Sequence, residues 1–118
     1  MSEKRKNRIT DRHTRDDELV QKQALQRLLA TADGRRLFWG ILSDTGLFSN
    51  PHSGNALDSA FKAGMMNVGQ SILERIEAAD RRAFLQMQEE NIQIVEALEA
   101  KLATVEDEQD EYAADDGD

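Results

Sequence analysis

The chain has no cysteine, a single proline, only two histidines and few aromatic residues: one Trp, one Tyr and four Phe among 118 residues. Without cysteine there is no disulfide and no thiolate chemistry, a usage that fits a reducing compartment. No apolar run approaches the roughly 18 residues of a membrane-spanning helix. The basic N-terminal residues are followed by no apolar stretch, so no secretory signal is expected. Apolar residues make up 39% of the chain and charged residues 32%, a balance below that of most globular domains. Such a chain is expected to hold one domain at most, with a small core and long solvated extensions, and a partner or self-association would add to its stability.

The scarcity extends to chemistry. His13 lies among basic residues, where a solvated role is expected. His52 is next to Ser53, but neighbours in sequence do not make a nucleophile and base, which need spatial convergence and an oxyanion site. Two distant histidines and no cysteine leave only carboxylates as metal ligands, and none has the spacing of a calcium loop. Gly64 and Gly69 follow no strand and precede no Gly-Lys-Ser/Thr, so they do not form a phosphate loop. No catalytic residue, metal site or cofactor site is assigned.

What the chain does have is charge, unevenly placed. The formal net charge is −8. Residues 1–15 carry six basic and two acidic groups, whereas residues 80–118 carry thirteen acidic and three basic. The whole is therefore a poor partner for nucleic acid, which demands a concentrated positive surface. Only the basic head (Lys4, Arg5, Lys6, Arg8, Arg12, Arg15) offers contacts to phosphate or to an acidic protein, and a solvated arm is the plainer reading.

Periodicity predicts an all-α fold of three to four helices. Residues 1–13 lack apolar periodicity and read as a disordered arm. Thr14-Arg15-Asp16-Asp17 has the spacing of a capping box, which opens a helix over 15–32 with Leu25, Leu28, Leu29 and Ala32 as its buried stripe and Gly34 as its left-handed stop. Asp33 is the expected cap of a second helix over 35–43, with Leu37, Phe38, Ile41 and Leu42 on one side. Asp44-Thr45-Gly46 ends it, and Leu47 and Phe48 fold back as a plug. The turn-rich segment 49–54 then leads to Asn55, the N-cap of a helix over 56–79. There Leu57, Phe61, Met65, Val68, Ile72 and Ile76 recur every three or four residues. Gly64 and Gly69 each cost about 1 kcal/mol in a helix interior, which suggests close approach of the second helix under Trp39, with a hinge as the alternative. After a break near Ala79-Asp80, a fourth helix covers 81–104, and residues 105–118 form a disordered acidic tail. The core is expected around Leu28, Phe38 and Phe61.

Two groups stand out as candidate interaction sites. Arg35 and Arg36 beside Trp39 are either a phosphate or stacking contact, or a core Trp whose arginines pair with Asp33, Asp44 or a neighbouring helix. Leu47 and Phe48 are either that internal plug or an exposed anchor for a partner groove. In the fourth helix, Phe84, Met87, Asn91, Ile94 and Leu98 follow heptad spacing, with Asn91 at an a-type position. They form a candidate self-association seam, or the buried face of a helix packed on its own domain.

The order Leu28-Leu29-Ala30-Thr31-Ala32-Asp33-Gly34-Arg35-Arg36-Leu37-Phe38-Trp39, then Leu42-Ser43-Asp44-Thr45-Gly46-Leu47-Phe48, then Gly54-Asn55-Ala56-Leu57-Asp58-Ser59-Ala60-Phe61 and Asn67-Val68-Gly69 resembles a small phage-protein family. That family was first named from a Bordetella podophage and is found among virion genes of tailed phages. The likeness covers about residues 25–90 and lies in order and spacing rather than in any one triplet. The chain departs from the pattern at Ala63 and at Met65 or Met66, where the family has an acidic residue and often Arg. The resemblance implies a non-enzymatic structural or assembly-associated protein acting among portal, capsid and tail parts, in the virion or the infected-host cytoplasm. It carries over no activity and no binding residue. The alternative from another class is a phage-encoded regulator or host-takeover factor that binds a host protein or nucleic acid. A small hydrolase built on His52 and Ser53 is the remaining, weakest reading.

Overall fold

The computed structural model describes residues 2–49 and 55–115, with side chains through 110. These residues form four helices and no strand: α1 (Glu3–Leu29), α2 (Ala32–Asp44), α3 (Ala56–Ala79) and α4 (Ala83–Asp115). The all-α fold is as expected, and α3 has the expected bounds. The chain divides into two units, Met1–Phe84 and Leu85–Asp118. The first contains α1, α2, α3 and the start of α4; the second contains the rest of α4.

Helix α1 begins twelve residues before the expected Arg15. Its N-cap is Ser2, whose hydroxyl accepts from the Arg5 backbone N–H at 3.3 Å. Thr14 is an interior residue whose hydroxyl donates to the Thr10 carbonyl at 3.0 Å, so no capping box forms there. The segment read as a disordered arm is thus helical from Glu3. Apolar periodicity reports burial, not helicity, and Lys and Arg are good helix formers. Glu3 also suits the positive end of the helix dipole. The same reasoning applies at the other end, where α4 runs through the expected tail to Asp115. Residues 106–115 contain neither Gly nor Pro.

The α1–α2 corner differs from the expected one. Helix α1 ends at Leu29 with Ala30 as C-cap, and Thr31, not Asp33, caps α2: its hydroxyl oxygen accepts from Gly34 N–H at 3.1 Å. Gly34 therefore lies in the first turn of α2 and not in a left-handed stop. A Cβ there would overlap the Leu28 carbonyl. The Arg35 guanidinium donates to the Leu29 carbonyl at 3.0 Å, placing a cation at the negative end of α1.

Helix α2 stops where expected. Gly46 has a φ of 73° and is the only described residue in the left-handed region, and its N–H donates to the Ser43 carbonyl at 3.0 Å. Asn55 caps α3, its Oδ1 accepting from Leu57 and Asp58 N–H at 2.9 and 3.3 Å. Asp80 makes the break before α4, its Oδ1 accepting from Arg82 N–H at 3.0 Å.

The core of the first unit lies where α1, α2 and α3 meet, around fully buried Leu29, Leu42, Ile76 and Ala83, with Ala79 beside them. Gln26 fastens α1 to the end of α3, its side-chain amide donating to the Ala79 carbonyl at 3.0 Å. That bond satisfies one of the carbonyls a helix end leaves without a partner. The core is therefore not built around Leu28, Phe38 and Phe61. Leu28 is 48% exposed, Phe61 is 67% exposed, and Phe38 is half-buried. On α1 a three-to-four spacing leaves the rotation of the stripe ambiguous by one residue, and Leu29 turns inward where Leu28 does not. On α3 the stripe keeps its face, but burial is reached at Ile76 and not at Phe61, fifteen residues earlier on the same line. Ala32, also expected in the stripe of the first helix, instead opens α2 and is exposed.

Candidate interaction surface

Of the two interior glycines of α3, only Gly69 marks a close approach. A Cβ on Gly69 would collide with the Thr45 hydroxyl and lie 3.1 Å from Leu47 Cβ, so the end of α2, and not Trp39, is what presses on it. Gly64 has open space where its Cβ would be. Thr45 is buried, its hydroxyl donating to the Leu42 carbonyl at 2.6 Å. This contact seats the C-terminal end of α2 on the middle of α3, while Leu57 and Phe61, nearer the start of α3, are exposed.

Three aromatic rings gather beside it. Trp39 stacks on Phe48 with centroids 4.7 Å apart and an interplanar angle of 21°, and Phe84 lies 6.1 Å from Trp39 and 6.3 Å from Phe48. These are offset-stacking separations. The two residues of the Leu47–Phe48 segment differ: Leu47 is half-buried against Gly69, while Phe48 covers Trp39 with one face and leaves about half its surface to solvent. Trp39 is half-buried. The arginines beside it part company, Arg35 turning to the end of α1 and Arg36 remaining exposed.

Next to this group is a cleft of about 320 Å³, lined among the described residues by Asp44, Thr45, Gly46, Ser49, Phe61, Lys62, Met65 and Met66. Its floor is apolar and adaptable, since methionine side chains repack readily around a guest. Its rim is charged, with Lys62 paired to Asp58 at 3.0 Å. Outside the cleft lining, Leu57 is 83% exposed and Val68 half-exposed on α3, and on α2 Leu37 and Ile41 reach solvent. This arrangement can hold an apolar side chain or helix face of a partner. His52 and Ser53 lie outside the described residues.

In α4, the residues of the candidate seam do not share one environment. Phe84 belongs to the aromatic group, Met87 is buried, Asn91 is half-buried, and Ile94 and Leu98 are exposed. No helix among the described residues is long and apolar enough to cross a membrane.

Residues 25–89 match the family of Bbp19-like phage proteins. This chain belongs to that family. The matched region is more than half of the 118 residues and takes in the end of α1, the whole of α2 and α3, and the aromatic group. The family segment therefore contains both the core and the cleft, while the outer parts of α1 and α4 lie beyond it. No curated protein and no solved structure matches the chain.

The residues that sequence reasoning missed are Leu57, Phe61, Val68, Leu37 and Ile41 as surface groups. Phe61 was expected in the core, and the other four on the apolar faces of the second and third helices. Nothing in the pattern separates a helix face that packs at home from one that packs on a partner, because both need the same spacing.

Proposed function

We propose that this Bbp19-like protein is a non-enzymatic component of a tailed phage, in the particle or active in its assembly, and that it binds portal, capsid or tail proteins through the α2–α3 surface. The observation that carries this reading is one apolar line on α3, Leu57, Phe61 and Val68, which is exposed to solvent, with Phe61 also lining the cleft beside Met65 and Met66. A monomeric soluble protein rarely leaves so many large apolar side chains contiguous and uncovered. The site is the virion or the infected-host cytoplasm, and no cofactor enters.

Mass spectrometry of purified particles and procapsids tests the reading, with Leu57→Gln/Phe61→Gln as the probe. These residues are exposed, so the double substitution should change unfolding stability by no more than about 0.5 kcal/mol per site, while its recovery with particles falls at least about tenfold. Absence of the wild-type chain from both particles and procapsids would defeat the proposal. Stoichiometric capture of one protein from uninfected host lysate would favour the regulator reading instead.

A further inference from the structure

Helix α1 meets the end of α3 through Gln26 and Leu29. Followed towards the N-terminus in steps of four and three residues, the same face presents Lys22, Leu19, Arg15, Arg12, Arg8 and Arg5. All six are exposed. A line of this spacing stays on one side of a helix, and from Arg5 to Lys22 it extends roughly 26 Å. It carries five cations and one leucine, and no acidic residue stands on it.

Helix α4 holds the opposite pattern at the same spacing. Glu89, Ile92, Glu96, Glu99, Ala103 and Glu106 follow steps of three and four, and all are exposed. This line is on the other side of α4 from Ile94, Leu98, Leu102 and Val105, and it carries four carboxylates, one isoleucine and one alanine. The two lines match in length and spacing and are opposite in sign.

We propose that a second copy of this chain docks on α1 with its α4 antiparallel. Lys22 then faces Glu89, Arg15 faces Glu96, Arg12 faces Glu99 and Arg5 faces Glu106. The direction follows from the two positions where the lines are not ionic. Antiparallel, Leu19 meets Ile92 and the long Arg8 lies over the small Ala103. Parallel, Leu19 would meet Ala103 and Arg8 would bury Ile92 under a charge. The helix dipoles also favour the antiparallel arrangement. A second copy is the occupant because each chain carries both complementary lines, whereas a nucleic acid would meet a chain of net charge −8. Every copy presents both lines, so the contact is satisfied either reciprocally in a two-fold dimer or head to tail in a ring or filament.

Charge reversal tests the pairing on the full chain. One variant carries Arg5→Glu, Arg12→Glu and Arg15→Glu; the other carries Glu96→Lys, Glu99→Lys and Glu106→Lys. Circular dichroism checks that both keep their helix, and sedimentation velocity reads their mass. The wild type should self-associate at low salt and dissociate as the Debye length contracts to about 3 Å near 1 M. Each variant alone should associate at least about tenfold more weakly, and an equimolar mixture should restore a complex containing both. A wild type that stays monomeric at low salt overturns the proposal. So does association that survives in both variants and at high salt, which would move the contact to an apolar face. Duplex DNA bound by the wild-type monomer, and not by the arginine variant, would likewise overturn it in favour of a nucleic-acid partner. Recovery of the chain with phage particles does not depend on this contact, so either idea can fail without the other.

Discussion

Gly64 and Gly69 are five positions apart in one helix and carry the same intrinsic penalty, yet they have opposite surroundings. At Gly64 the space for a methyl group is open; at Gly69 it is occupied by Thr45, whose hydroxyl is already committed to the Leu42 carbonyl. Replacing Gly64 by Ala should therefore stabilise the fold by up to about 1 kcal/mol through helix propensity alone. Replacing Gly69 by Ala sets that gain against about 1–3 kcal/mol of overpacking, so the fold should lose stability or at best break even. Urea unfolding of the two variants beside wild type gives the comparison. Equal gains at both positions would mean that the seat of α2 on α3 is not as tight as its geometry shows. The presence of two weak points in α3 is legible from sequence. Which one has a neighbour is not, because that depends on the angle at which α2 crosses.

At the scale of elements, the helices divide by what they bury. The C-terminal part of α1, the end of α2 and the second half of α3 share Leu29, Leu42 and Ile76, whereas residues 3–20 of α1 are exposed along their whole length. The outer part of α1 depends on Ser2, on local pairs such as Glu3–Lys6 at 3.9 Å and Asp17–Gln21 at 2.8 Å, and on intrinsic propensity. Such contributions amount to tenths of a kcal/mol each, and an isolated helix of this length is marginal in water. Hydrogen exchange in the dissociated chain should show it. Amides of residues 5–18 should exchange orders of magnitude faster than those around Leu42 and Ile76, which open only with the whole unit. Uniform protection along α1 would contradict this division. Docking of a second copy on the arginine line should slow exchange in residues 5–22 and leave the core amides unchanged.

At the scale of the molecule, a few fully buried side chains support 118 residues, and a core of this size leaves little stability to spare. Binding should then be visible as stability. A partner present at one hundred times its dissociation constant adds about 2.7 kcal/mol, a rise of several degrees in Tm for a domain of this size. Differential scanning fluorimetry with purified virion proteins should find such a rise for the wild type and lose it for Leu57→Gln/Phe61→Gln. No rise with any portal, capsid or tail protein would count against the docking surface proposed on α3.

The sequence by itself determined the helical class, the bounds of α3, the stops at Gly46 and Asp80, the cap at Asn55 and the family, because local chemistry and residue order suffice for each. The ends of α1 and α4 were within its reach too, in the helix-forming residues that weak apolar periodicity obscured. Only the tertiary structure decided which part of each stripe is buried, that Gly69 rather than Gly64 receives α2, and that Leu57 and Phe61 remain outside. A helical repeat fixes the spacing of apolar residues along one axis. The choice between core and surface is made by how several axes cross, and no single segment contains that information.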